Sequence, residues 1–186
     1  MNKKILFSTL LTIATVFSVS AQRFKPVPNF LKGQTVINVV FDYSNTVFDG
    51  DSQEEYYEDK SAKWIKEWEG NRRETNDSYL LDNINDELEK INIQFGDYPD
   101  AQYTMIIDVV DCDFGAYAGP FSVPAKLKCT FNIVETGTSD VLSTITLKES
   151  QNSFSVIGTP IDFDRMYLAF GEVGEELGEK LFKILK

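Results

Sequence analysis

The sequence contains no histidine, and this absence removes several kinds of chemistry. It takes away the commonest general base, the usual serine or cysteine triad and the commonest zinc ligand. The Ser-x-x-Lys motif of lysine-assisted serine enzymes, the phosphate-binding loop and the glycine fingerprint of dinucleotide sites are also missing from the sequence. We therefore expect a non-enzymatic protein that uses no cofactor and no metal.

Positive charge is scarce as well. Lysine and arginine number 18 against 29 acidic residues, which gives a formal net charge of −11. A chain with this charge is repelled by nucleic acids and by anionic lipid surfaces, because both bind proteins through basic residues. We therefore predict no nucleic-acid partner. A basic protein, a cationic ligand or calcium would suit this charge, although the composition does not require any of them.

Cysteine occurs twice, at Cys112 and Cys129. The two residues lie on either side of Pro120-Phe121, the predicted tip of a hairpin, so a disulfide between them is one interpretation. Direct pairing would put Asp108 on the same apolar face as Cys129 unless a bulge shifted the strand register. The other interpretation is two buried thiols that act as small hydrophobic side chains. The sequence leaves this choice open.

One long hydrophobic run is present, at the N-terminus. Lys3 and Lys4 precede the apolar run Ile5–Phe17, and Val19-Ser20-Ala21 supplies small residues at the expected cleavage site. This order is typical of a cleavable secretory signal. The run of about 13 residues is shorter than the roughly 20 needed to cross a bilayer. Gln22 follows the cleavage site, where a lipoprotein would need cysteine.

The sequence thus divides into three parts: a cleavable signal peptide at 1–21, an irregular leader at 22–33 and a single domain at 34–186. We expect the mature chain to have no membrane span and to be periplasmic or secreted.

Residue patterns predict an α+β fold. The simplest arrangement is a single antiparallel-rich sheet of about four strands with two to three helices packed on one face and the other face partly solvated. Strands are predicted where β-branched and aromatic residues cluster, and helices where apolar residues recur with helical spacing. The predicted strands are 35–43, 102–111, 125–135 and 141–148, and the predicted helices begin near 51, 76 and 164.

Three glycines interrupt the last predicted helix at Gly171, Gly174 and Gly178. Each costs about 1 kcal/mol relative to alanine inside a helix, so their presence indicates that another element packs very close to this helix. That element is either part of the same domain or a second copy in a dimer.

Aromatic residues form two candidate binding sites. Trp64 and Trp68 fall on one helical face and would suit a platform for sugar rings, or they belong to the core, because two tryptophans bury a large apolar area. The segment 113–124 carries Phe114, Tyr117 and Phe121 among glycines and prolines. Such residues at a loop tip often contact partners, although the loop could instead fold back over the end of the sheet.

Acidic clusters give two weaker hypotheses. Asp49, Asp51 and the glutamates at 54 and 55 loosely resemble a calcium loop, but the spacing is not that of an EF-hand, and a solvated acidic face is the simpler interpretation. Asp108, Asp111 and Asp113 could supply the paired carboxylates of a glycosidase. Asp108 and Asp111 are three residues apart on a predicted strand and so should lie on opposite faces, whereas Asp111 and Asp113 share one face. No supporting polar group accompanies them in the sequence.

The order of the predicted elements resembles that of small periplasmic domains built as strand, helix, three strands and helix. Examples are the N-terminal domain of the Tol-system propeller protein and the outer-membrane activators of penicillin-binding proteins. The similarity lies in the early strand VINVVFDYSN, the three strands that begin within QFGDYPDAQYTMIIDVV, and the closing helix FGEVGEELGEKLFKILK. The resemblance implies an envelope adaptor that binds proteins.

Three functions remain in order of preference. The first is an exported, non-enzymatic domain that binds another envelope protein. The second is a module that binds a glycan or small ligand through the aromatic residues. The third is a carboxylate-based hydrolase, whose turnover would disappear with Asp111→Asn and Asp113→Asn. The identity of a partner, the pathway and the oligomeric state are not encoded in any motif of the sequence.

Overall fold

The computed structural model describes residues 22–118, 121–150 and 161–186. These residues form long and short strands, four α-helices and three short turns of other helical types. In chain order the strands are β1 Val36–Asp42, β2 Val47–Phe48, β3 Asp51–Ser52, β4 Gln94–Gly96, β5 Tyr103–Asp113, β6 Ala116–Ala118, β7 Phe121–Val123, β8 Lys126–Glu135 and β9 Val141–Ser150. The helices are α1 Gln53–Glu58, α2 Ala62–Glu67, α3 Arg73–Leu88 and α4 Asp162–Leu185, with a π-helical turn at Trp68–Arg72 and 3₁₀ turns at Asn29–Leu31 and Glu89–Ile91.

The prediction of an antiparallel-rich sheet of about four strands is wrong. The main sheet has seven strands and is mixed: β1 pairs in parallel with both β4 and β5, and β2 also pairs in parallel with β5. Parallel neighbours need a long crossover connection, and α1 to α3 provide it between β1 and β4. The α+β class itself is correct, with the long helices α3 and α4 beside one sheet.

The antiparallel half of the sheet consists of β5, β8 and β9. One face of these strands is buried, and the opposite face is partly exposed and rich in threonine, lysine and asparagine. The β5–β8 ladder contains a bulge: Val109 is opposite Cys129 and Asp111 is opposite Lys128, so Val110 has no opposite residue. A bulge shifts the alternation of sides along a strand.

The bulge overturns one expectation about carboxylates. Because Asp108 is opposite Thr130 and Asp111 is opposite Lys128, the two aspartates lie on the same face of the sheet. An unbroken strand would have placed them on opposite faces.

Helices α3 and α4 run side by side in the same direction, and the three glycines of α4 lie in their interface. A Cβ atom on Gly171 would collide with the Tyr79 ring, and one on Gly174 with the carbonyl oxygen of Leu80. A Cβ on Gly178 would lie 2.8 Å from the Cβ of Glu87. The close neighbour expected from the sequence is therefore α3 of the same domain.

The leader is tied to the domain at a few points. Phe24 and Leu31 are buried in the core, and Lys25 makes a single antiparallel bridge with Thr144 at the outer edge of β9. Within the described part of the chain, no helix combines the length and apolar character needed to cross a membrane.

Candidate functional site

Phe114 lies at the centre of a cluster of aromatic rings at one end of the sheet. The ring of Phe114 is 5.2 Å from that of Trp68 and 5.5 Å from that of Trp64, measured between centroids. Only 2% of Phe114 is exposed. The other rings within 6.5 Å of Phe114 belong to Phe48, Tyr56 and Phe163.

The helical segment that supplies the tryptophans is broken, and this decides which rings reach the cluster. Ser52 caps α1 with a reciprocal capping box to Glu55, and Ser61 starts a second helix by accepting a hydrogen bond from the backbone N–H of Trp64. As a result Tyr56 is buried, where a single continuous helix would have buried Tyr57.

Trp64 and Trp68, the two tryptophans predicted as a platform for sugar rings, have different surroundings. Trp68 is fully buried, so it offers no face on which a sugar ring could stack. Trp64 is half-buried, stacks on Trp68 at 6.0 Å, and donates a hydrogen bond from Nε1 to Asp162 at 3.1 Å. The geometry therefore gives both tryptophans a packing role in the aromatic cluster.

The backbone of Phe114 is held on both sides. Its N–H donates to Oδ1 of Asp49 at 2.7 Å, and its carbonyl oxygen accepts from Nε of Arg165 at 3.0 Å. Arg165 belongs to α4 and is 3% exposed, while Asp49 lies in the turn between β2 and β3. Charge-assisted hydrogen bonds of this kind are roughly twice as strong as neutral ones. The chain is therefore clamped where it leaves β5.

A separate hairpin begins directly after this clamp. β6 and β7 pair with each other, with Ala116 opposite Val123, and form a two-stranded sheet apart from the main one. Gly115 makes the turn into the hairpin with φ +64°, and a Cβ there would overlap the carbonyl oxygen of Val123, so only glycine fits. Val123 is 49% exposed. Of the predicted tip Pro120-Phe121, position 120 lies outside the described residues, as does position 119, and Phe121 begins β7.

Tyr117 and Phe121 belong to this hairpin. The strand register places Tyr117 opposite Ser122, and Phe121 opposite Ala118. Of the three aromatic residues predicted to contact a partner, Phe114 is buried in the cluster, and the other two occupy strands of the hairpin.

An open cavity of about 460 Å³ lies at the base of the hairpin. Burial raises the pKa of Asp49, although hydrogen bonds from the Phe114 N–H and the Tyr56 side chain act in the opposite direction. Asp113 accepts from the N–H of Gly115 at 2.9 Å and pairs with Lys126 at 3.1 Å. The lining residues are Asp49, Gly50, Asp111, Asp113, Gly115, Ala116 and Val123.

Two of the three carboxylates that line the cavity hold the hairpin. Asp49 accepts from the N–H of Phe114, and Asp113 accepts from the N–H of Gly115 and pairs with Lys126. Asp111, the other member of the predicted hydrolase pair, lies on the same face as Asp113, opposite Lys128. Among the residues that the structure describes, no three histidine, cysteine, aspartate or glutamate side chains come together in a way that could hold a metal ion.

Cys112 and Cys129 are free thiols in the buried layer under the sheet. Cys112 is opposite Leu127 and Cys129 is opposite Val109, so the cysteines are diagonal neighbours, two positions out of register. Burial raises the pKa of both thiols well above the ordinary range, which keeps them protonated and weakly reactive.

Two residues of the clamp were not identified from the sequence. Asp49 is followed by Gly50, and an Asp-Gly pair is a turn signal that could have placed this carboxylate at a strand connection. Arg165 stands in the first turn of α4 and gives no signal, because its partner is a carbonyl group that is distant in the chain.

No protein-family model matches this sequence, and no curated protein matches it. The chain is similar to several solved structures at low sequence identity. The PelC dodecamer from Paraburkholderia phytofirmans is 12% identical, with 83% of this chain and 96% of that chain covered and a TM-score of 0.47. A minor lipoprotein from Acinetobacter baumannii is 10% identical, with 81% and 94% covered and a TM-score of 0.36. Protein XCC0632 of Xanthomonas campestris, assigned to DUF330, is 19% identical, with 57% and 61% covered and a TM-score of 0.35.

Proposed function

We propose that this chain is an exported, non-enzymatic domain of the cell envelope that binds another envelope protein through the β6–β7 hairpin. The observation that carries the proposal is the construction of the hairpin. It is a ribbon separate from the main sheet, and it starts from a residue, Phe114, whose ring and backbone are both fixed. Rigid scaffolds that present loops in this way are common at binding sites.

Export is supported by the sequence of residues 1–21, which has the three regions of a signal peptide. A role in binding rather than catalysis is supported by the absence of histidine from the sequence and by the engagement of Asp49 and Asp113 in the hairpin base. The resemblance to periplasmic adaptor domains remains a prediction that points the same way.

The test is crosslinking in the intact envelope with a C-terminal tag, followed by purification and mass spectrometry. We expect one dominant envelope protein to be captured by the wild type. The capture should be lost with Val123→Asp, which places a charge on an exposed hairpin residue, and with the double variant Tyr117→Ala and Phe121→Ala, whose melting temperature should stay close to that of the wild type.

The matched control changes two exposed apolar residues far from the hairpin in sequence, Val40→Ala and Val141→Ala, and it should retain the partner. If the hairpin variants capture the partner as well as the control does, the proposal is wrong. A large fall in melting temperature for the double variant would instead assign Tyr117 and Phe121 to the core and remove them from the proposed interface.

A further inference from the structure

The two ends of the described chain meet at a groove that basic residues line. Segment 22–33 has three basic residues and no acid, and segment 180–186 has the same composition. Lys90 joins them, because its Nζ lies 5.8 Å from the ring of Phe182. We call this region the basic pole. Its members are Arg23, Lys25, Lys32, Lys90, Lys180, Lys183 and Lys186.

A shallow groove of about 340 Å³ crosses the basic pole. Phe24 and Ile184 contribute apolar surface to it, and so does Val27, which is 49% exposed. Arg23 and the lysines at 180 and 183 also line the groove. The long aliphatic stems of such side chains can cover apolar surface while their charged ends stay in water.

The charges of the pole remain able to bind an outside anion. Lys180 pairs with Glu176 and Lys183 with Glu179, both at 2.6 Å between nitrogen and oxygen. The Lys180–Glu176 pair is partly buried and the Lys183–Glu179 pair is more exposed. Exposed pairs within one helix are weak and easily exchanged. Arg23 is exposed and has no acidic partner among the described residues.

Glu176, Glu179 and Glu87 lie close to Lys180 and Lys183 and offset part of the local charge, whereas distant carboxylates do not. At physiological ionic strength the Debye length is about 8 Å, so carboxylates farther away than that contribute little to the potential at the pole. A net charge of −11 is therefore compatible with local attraction to an anionic surface.

We propose that the basic pole rests on the surface of an anionic lipid bilayer, with Val27 in contact with the acyl boundary and the basic side chains among the headgroups. Apolar residues surrounded by lysine and arginine are the physical signature of interfacial binding.

The test measures binding of the exported form, with its N-terminus defined by mass spectrometry, to vesicles. One set contains equal parts of phosphatidylglycerol and phosphatidylcholine, and the other contains phosphatidylcholine alone. We expect the protein to sediment with the anionic vesicles, not with the neutral ones, and to be released near 1 M salt, where the Debye length falls to about 3 Å.

The variant that tests the pole is Arg23→Gln with Lys183→Gln and Lys186→Gln. Its partition coefficient should fall between about tenfold and a hundredfold, because each base near an anionic surface contributes about fivefold. The matched control removes the same charge elsewhere, with Lys63→Gln, Lys66→Gln and Lys148→Gln on exposed positions, and should change binding less than about twofold. Val27→Ser leaves the charge unchanged and should weaken binding about threefold.

Equal losses in the pole variant and the control would overturn the proposal, as would binding to both vesicle types or to neither. If the pole variant binds vesicles like the wild type but loses a captured envelope protein, the pole is a protein interface and the lipid proposal is wrong. The hairpin proposal does not depend on any of these results, since Val123→Asp should bind anionic vesicles as the wild type does.

Discussion

Asp77 is a partly buried carboxylate whose charge the native fold accommodates poorly. It lies on α3 and accepts a hydrogen bond from the hydroxyl of Tyr43 at 2.6 Å. Burial raises its pKa from 3.8 to about 6, although Tyr43 and Arg73 both favour the charged form. Replacement by asparagine keeps an oxygen that can accept from Tyr43 and removes the charge. We therefore expect Asp77→Asn to stabilise the protein at neutral pH.

The magnitude follows from the difference between the two pKa values. About two pH units correspond to about 3 kcal/mol between the charged and neutral forms of the side chain in the native state. Because the pKa is higher in the folded chain, the folded chain binds more protons between about pH 4 and pH 6, and Asp77 lowers stability as the pH rises through that range. Above about pH 6 the loss of stability caused by the charge of Asp77 is constant, and below about pH 4 it vanishes.

The assay is urea unfolding followed by tryptophan fluorescence at several pH values between 4 and 7.5. At pH 7.5 the free energy of unfolding of Asp77→Asn should exceed that of the wild type by about 2 kcal/mol. This is less than the difference of about 3 kcal/mol between the charged and neutral forms, because the N–H groups of the new amide need hydrogen-bond partners. The two proteins should converge near pH 4. The exposed residue Asp82 on the same helix supplies the control: Asp82→Asn should change stability by less than about 0.5 kcal/mol. A less stable Asp77→Asn at pH 7.5, or a difference that does not vary with pH, would refute the reasoning.

Two further predictions concern the core. Gly174→Ala should lower the free energy of unfolding by about 1 to 2 kcal/mol in the same assay, because the clash with the carbonyl of Leu80 costs more than the gain of about 1 kcal/mol in helix propensity. Glu175→Ala, at an exposed neighbouring position, should change it little, and an equal effect of both would contradict the close packing of the helices. Thiol titration should detect both Cys112 and Cys129 after unfolding and neither before, because diagonal strand neighbours lie farther apart than the roughly 3.8 Å between Cβ atoms in a disulfide. Recovery of no thiol from the unfolded chain would show that the two are bonded.

The parts of the fold that could be predicted are those whose signal is local and long. The periodicity of α4 and the alternation of β8 appear in the sequence because each depends on many residues facing one core. The glycines of α4 also predicted a close neighbour correctly, since their cost in a helix requires compensation. In contrast, β2 and β4 have two and three residues, too few for any pattern, and their parallel pairing depends on partners distant in the chain.

The candidate site shows a different limit of sequence reasoning. Phe114 and Tyr117 stand three residues apart in a segment rich in glycine and proline, and nothing local distinguishes a core ring from a hairpin residue. The distinction is made by Asp49 and Arg165, which hold the Phe114 backbone from two other elements. Likewise a single bulge at Val110 decides which carboxylates share a face, and bulges leave no reliable mark in a sequence.

The two proposed surfaces lie at opposite ends of α4, and this arrangement lets both be occupied at once. Arg165 holds the base of the hairpin in the first turn of this helix, and Lys183 lines the basic pole in its last turn. Eighteen residues separate them, which corresponds to about 27 Å at 1.5 Å per residue. This distance exceeds several Debye lengths, so charge changes at the pole should not alter partner capture by the hairpin. A domain that rests on a bilayer through its pole would therefore present the hairpin away from the lipid, toward a protein partner in the surrounding envelope.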